Sequence, residues 1–241
     1  MYRSYLAGVK EPRLASKWVY EKDFGWMWDV NLGGRVGILR YGTDDPLTPE
    51  GWQIDIEGAG QPRLSFEHDT EVIACDYRAG VLSTYAEGPN HYKFGYYHLS
   101  AHLGDEWMLR FPGSRRINYS RDVMIMGYSH FWTTDLRLYG EVGYAFCRGD
   151  LTEPWEFQFG VEYSPLMPRG IRPAPFFAVN GHLREDNDFS GNLTVETGLQ
   201  WRGATGSLFR LGMIYFNGMS DQFEFVDCFE NKIGMGIWYD F

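Results

Sequence analysis

Three things are missing from this 241-residue chain. No stretch approaches the roughly 18 to 20 uninterrupted apolar residues that a transmembrane helix needs, so membrane-spanning helices are excluded. The formal net charge is −10 and no Lys/Arg cluster interrupts it, so the basic footprint of a nucleic-acid binder is missing and nucleic acid is set aside as a partner. There are three cysteines, Cys75, Cys147 and Cys228, an odd number without CxxC pairing or His-rich spacing. That pattern indicates neither a disulfide framework nor a zinc site and reads as three small apolar residues, buried or facing lipid. The opening "MYRSYLAGVKEPRL" also lacks the charged start, apolar middle and small-residue cleavage site of a signal peptide. The expectation is either a protein retained in the cell or a mature chain with an added start Met.

Aromatic residues are abundant. They make up 17% of the chain, glycine adds 29 residues, and the mean hydropathy is only −0.36. Such a chain must sort its apolar residues finely, and it does so with a period of two. From Phe24 the even positions read Phe24, Trp26, Trp28, Val30, Leu32, Gly34, Val36 and Ile38. The odd ones carry Asp29, Asn31 and Arg35 among glycines, so one strand face is apolar and the other polar or small. The pattern recurs in "GWQIDIEG", "DLRLYGEVGYAF", "PWEFQFGVEYS", "GNLTVETGLQWRG" and "NKIGMGIWYDF", with turn-rich pieces such as "GTDDPLTPEG" and "REDNDFSG" between. About eleven such segments are present, and no helical stripe matches them in quality.

Amphipathic strands in this number build either a soluble sandwich or barrel, or a membrane barrel. Soluble strands average about five or six residues, whereas membrane strands run near ten, with aromatic girdles at the interfaces and a polar lumen. Here the segments are long, tryptophans and tyrosines gather at their ends, and the polar faces carry charges that suit a wet or narrow lumen better than a dry core. The reading is all-β, an antiparallel transmembrane β-barrel. Single-chain bacterial barrels have even strand numbers, which predicts twelve strands, with ten as the alternative. The strand still to be found lies in residues 14–22 or within "SDQFEFVDCFE". Residues 1–23 are set apart as an N-terminal segment, periplasmic or partly strand, and residues 24–241 as the barrel. The last strand, "GIWYDF", ends on Phe241 after Ile233, Met235, Ile237 and Tyr239. It resembles the closing strand of bacterial outer-membrane proteins, whose terminal aromatic is read by the barrel-assembly machinery. That implies a bacterial outer membrane as location.

One stretch departs from the pattern. In "FGYYHLSAHLGDE" the positions Tyr92, Phe94 and Tyr96 are followed on the same strand face by His98 and Ser100. A His and a Ser on a lipid-facing side must find partners or cost several kcal/mol. Bonding to each other is the simplest remedy, and it is also how a serine hydroxyl is activated by imidazole. "YYHLSAHLGDE", followed by "RRINYSRD", resembles outer-membrane phospholipase A, a twelve-stranded barrel with His and Ser two apart on the outer face of one strand and an orienting Asn on the next. The resemblance covers roughly residues 92–132 and 211–241 and rests on strand pattern elsewhere. It implies His98 as base, Ser100 as nucleophile and Asn118 as orienting residue of a serine hydrolase acting on phospholipid acyl esters, with a homodimer as one route to an acyl groove. The chain also resembles an uncharacterised bacterial family of outer-membrane proteins that assigns no function.

Two departures weaken the correspondence. "WMLRFPGSRR" lengthens the connection between His98 and Asn118, and "AHLGDE" stands where the family has an Arg near its oxyanion and calcium site. Arg115, Arg116 or Arg121 is then the candidate for that charge. Asp105, Glu106 and Ser114 are the candidate oxygen ligands for calcium, although their spacing is not that of a calcium loop. His102 reads as an interfacial loop residue. The rival reading is a non-catalytic barrel, a narrow pore or structural protein, with His98 and Ser100 merely ending a strand. A second alternative is an esterase similar to lipid A deacylase, which orients its His with an acid; Asp122 is then the candidate.

Overall fold

The computed structural model describes residues 1–117 and 119–241. The chain alternates strand and turn: β1 (Leu14–Glu21), β2 (Gly25–Gly42), β3 (Gly51–Ser65), β4 (Glu71–Glu87), β5 (Asn90–Leu103), β6 (Ser120–Phe131) and β7 (Leu136–Arg148). After these come β8 (Trp155–Tyr163), β9 (Ala174–Arg184), β10 (Gly191–Arg202), β11 (Leu208–Met219) and β12 (Phe229–Asp240). Each strand pairs antiparallel with its sequence neighbour, and β1 pairs with β12 from Leu14 opposite Tyr239 to Glu21 opposite Lys232, closing a twelve-stranded barrel. Closure leaves no strand edge along the paired wall, which is what a sheet in lipid requires. The twelfth strand is β1, within the residues 14–22 anticipated for it, while "SDQFEFVDCFE" supplies a connection and only the start of β12.

The two-residue period sorts as expected for a membrane barrel. On β2, Trp26, Leu32, Val36 and Ile38 point outward and are exposed, while Met27, Asp29 and Asn31 point inward and are buried. The inward acids and bases pair with one another. Arg63 reaches Asp29 at 2.7 Å, Asp221 at 2.6 Å and Glu230 at 2.6 Å, and Lys232 meets Asp221 and Glu230 at 2.5 and 2.6 Å. Burial of charge is tolerated here because each ion finds counter-ions within hydrogen-bond distance.

Two inserts fill the lumen. Residues 1–13 enter from the end where both termini lie: Tyr5 donates to Glu141 at 3.0 Å, the Leu6 N–H donates to Glu162 at 2.5 Å, and Arg13 donates to the Tyr5 and Leu6 carbonyls. Gly127 leaves room for this segment, since a Cβ there would stand 3.0 Å from the Tyr5 hydroxyl. The β11–β12 connection, residues 220–228, folds in from the opposite end, burying Asp221, Gln222, Phe223, Glu224 and Val226. Phe223 stacks on Tyr119 at 4.8 Å. The inserts meet at Asp76, which accepts from Lys10 Nζ at 2.5 Å and from the Phe223 N–H at 3.2 Å. The cavity left between them is about 20 Å³, room for about one water.

Candidate functional site

Strand register assembles a polar island on the outer wall, near the end opposite the termini. On β5 the inward positions Tyr97, Leu99 and Ala101 are buried, so Tyr96, His98, Ser100 and His102 face outward. Ser100 lies between Tyr77 of β4 and Ser120 of β6, while His98 lies between Ala79 and Asp122. His102 lies opposite Cys75, its ring 5.8 Å from that of Tyr77. Just below, toward the middle of the wall, come Val81, Tyr96, Met124 and Tyr144, so the polar patch borders directly on apolar surface.

Within this island His98 has a firm partner. Its Nδ1–H donates to Asp122 Oδ1 at 2.9 Å, and the Tyr96 hydroxyl donates to the same oxygen at 2.6 Å. A neutral ring that donates through Nδ1 keeps its lone pair on Nε2, the tautomer a general base requires. A bulge between Asp122 and Val123 shifts the β6–β7 register, so that Asp122 faces Cys147 and Val123 faces Ala145. The extra residue leaves both Phe146 and Cys147 exposed on the outer side, with the Phe146 ring 6.2 Å from Tyr96. Bulges of this kind re-aim side chains beside functional sites.

The other candidates fall in different places. Asn118 lies outside the described residues. No hydrogen bond joins Ser100 to His98 among the described residues. The Ala101 N–H donates to the Tyr119 carbonyl at 3.0 Å, so that backbone group is committed to the ladder and not free to serve an oxyanion. Arg121 is a correction to the sequence reading. It is adjacent to Asp122 and so points the other way, buried in the lumen against Glu156 at 3.4 Å and Tyr119 at 3.2 Å. Arg115 and Arg116 stay exposed in the 104–119 connection above the site.

The calcium candidates do not make a cage. Asp105 and Glu106 occupy the first turn of α1 (Asp105–Arg110), where Glu106 accepts from the Val72 N–H at 3.3 Å, and Ser114 is in the following loop. Calcium asks for six to eight converging oxygens. Among the described residues no cluster of three or more His, Cys, Asp or Glu is placed to hold a metal. Asp105, Glu106 and Ser114 thus bring no acidic cluster to the ion among the described residues. Asp122 was readable in the sequence only as the alternative orienting acid, and the anchoring Tyr96 hydroxyl was missed. The signal available for Tyr96 was its i, i+2 spacing from His98.

Comparison with known structures gives the same architecture. Outer membrane phospholipase A from Escherichia coli superposes with a TM-score of 0.65 at 9% identity, covering 100% of this chain and 99% of that one. The Salmonella typhi outer membrane phospholipase dimer with bound calcium gives 0.64 at 10% identity, covering 95% and 91%. A KdgM porin gives 0.50 at 8% identity, covering 95% and 99%. At these identities the likeness concerns the fold alone: a closed, antiparallel twelve-stranded β-barrel of the kind these outer-membrane proteins have. No curated protein matches the chain. The family described as "Protein of unknown function (DUF1207)" matches residues 29–241.

Proposed function

We propose that this chain, which belongs to the family described as "Protein of unknown function (DUF1207)", is a serine hydrolase that cleaves phospholipid acyl esters at its lipid-facing surface. The observation that carries this reading is the 2.9 Å bond from His98 Nδ1 to Asp122 on the outer wall, with Ser100 two residues along the same face. Ser100 Oγ attacks the ester carbonyl and passes its proton to His98 Nε2, which returns it to the departing lysolipid oxygen. Water then opens the acyl-serine by the same route. Asp122 holds the ring and balances the imidazolium formed in each half-reaction, a carboxylate role close to that in lipid A deacylase-like esterases. No step runs through calcium. Working on the outer wall suits this chemistry, because the substrate is the surrounding bilayer.

Inserts that occupy the lumen from both ends favour surface chemistry over a pore. A second reading, a non-catalytic structural barrel, is favoured by the lack of a hydrogen bond between Ser100 and His98 among the described residues. The deciding experiment is hydrolysis of a fluorogenic phospholipid by detergent-refolded protein, wild type beside Ser100→Ala, in calcium and in chelator. Activity lost in the variant and unaffected by chelator supports the proposal. Equal signals from wild type and variant favour the structural barrel. One neighbour is a dimer, and cross-linking with and without substrate would read whether this chain pairs likewise.

A further inference from the structure

At the end of the barrel where the termini lie, the β2–β3 hairpin leans across the mouth. Its tip touches the β10–β11 turn, where a Cβ on Gly206 would sit 3.0 Å from the Pro46 carbonyl, and Arg3 of the inserted segment donates to the Leu47 carbonyl at 2.8 Å. Beneath the tip is a chamber of about 410 Å³, within the size range of small-ligand sites. Five guanidinium groups line it, from Arg3, Arg35, Arg40, Arg137 and Arg202.

Two of the five are neutralised: Arg35 by Glu57 at 2.7 Å and Arg137 by Glu162 at 3.3 Å. The other three have only neutral partners among the described residues. Arg3 bonds the Leu47 carbonyl, Arg40 the Gln53 side-chain oxygen at 2.6 Å, and Arg202 the Pro165 and Gly206 carbonyls and the Ser164 hydroxyl. Of the four acids in the walls, Glu162 and Asp240 are paired with arginines other than these three, while Asp55 and Asp135 bond only neutral donors, leaving the guanidinium groups in excess by one. Asp240 serves Arg210 and Arg13, Asp55 accepts from Gln53 and Thr84, and Asp135 accepts from the Leu166 N–H at 3.0 Å. Burial and the nearby Arg202 and Arg137 lower the Arg3 pKa to about 9, more than the carboxylates of Glu162 and Asp135 offset.

We propose that this chamber binds a small water-soluble oxyanion, a carboxylate or phosphate, held by Arg3, Arg40 and Arg202. Guanidinium groups match such anions with paired, charge-assisted hydrogen bonds. The walls are the inward faces of the strands, so the ligand enters from the aqueous terminus end and not from the bilayer. The site lies on the opposite side of the wall from His98 and Ser100, and it stands or falls independently of the hydrolase reading.

The test is calorimetric titration of the folded protein in detergent with inorganic phosphate and with citrate, against sodium chloride at matched ionic strength. Saturable binding of either anion is expected, weakened about tenfold or more in Arg202→Gln and in Arg40→Gln, the size of losing one charge-assisted contact. Arg148→Gln, at the far end beside Glu153, should bind as wild type does. Folding of each variant is checked by heat-modified mobility; if Arg202→Gln does not fold, Arg40→Gln, whose side chain holds only Gln53, decides. Heats equal to those of chloride, equal affinity in wild type and Arg40→Gln, or saturation only by micellar phosphatidylglycerol would each overturn the proposal.

Discussion

His98 and Asp122 face each other because β5 and β6 pair in one register, and a slip by one residue would turn Asp122 into the lumen beside Glu156. The proposed roles separate cleanly by substitution. In the hydrolysis assay, Ser100→Ala should lower turnover at least about a thousandfold and Asp122→Ala about a hundredfold or more, the range seen when a nucleophile or an orienting acid is removed. Asn118→Ala should leave turnover close to wild type; a loss there with Asp122→Ala intact would give the orienting role to Asn118. Tyr96→Phe removes one hydrogen bond to Asp122 and should cost only severalfold, since such a bond contributes about 1 kcal/mol. His98, Ser100 and the candidate acid could all be picked out in the sequence, because a polar pair breaks an apolar face. The choice between Asn118 and Asp122 could not, because sixteen residues of connection, 104–119, leave the cross-strand partner undetermined.

The strands were legible as elements because each is sorted by its own local period. The inserts were not. "LAGVKEPR" has no repeat and the short alternation in "DQFEFVD" points to a strand it does not form; the fate of both depends on where the closed wall presents counter-charges. Asp76 joins the two inserts, so Asp76→Ala should leave the half-buried Lys10 and the Phe223 N–H without their partner and cost about 1–3 kcal/mol in guanidinium unfolding followed by tryptophan fluorescence. A variant as stable as wild type would show that the inserts do not meet there. At the β2–β3 tip, the Leu47 and Thr48 N–H groups both donate to Asp45 at 2.8 Å and hold its carboxyl below the usual 3.8. A depressed folded-state pKa adds stability that is complete above about pH 4 and lost as pH falls through the folded value. Amide exchange protection at Leu47 and Thr48 should therefore drop below that pH in wild type, and be low at every pH in Asp45→Ala.

At the level of the whole barrel, two plugs entering from opposite ends should block conduction. Wild-type protein in planar bilayers should show no discrete current steps, and deletion of residues 1–13 alone should stay silent, because residues 220–228 still fill the far half. Steps should appear only when both are removed; steps in wild type would mean the inserts leave the lumen in the bilayer. The aromatic composition, the two-residue period and the long amphipathic segments already imply an outside-apolar barrel in an outer membrane, since alternation on a strand follows from backbone geometry alone. Which side chains meet across strands, that the lumen is filled and where unpaired guanidinium groups collect are settled only in the closed barrel. These depend on contacts between residues far apart in the chain, such as Leu6 with Glu162 and Arg63 with Glu230, and no local pattern encodes such pairings.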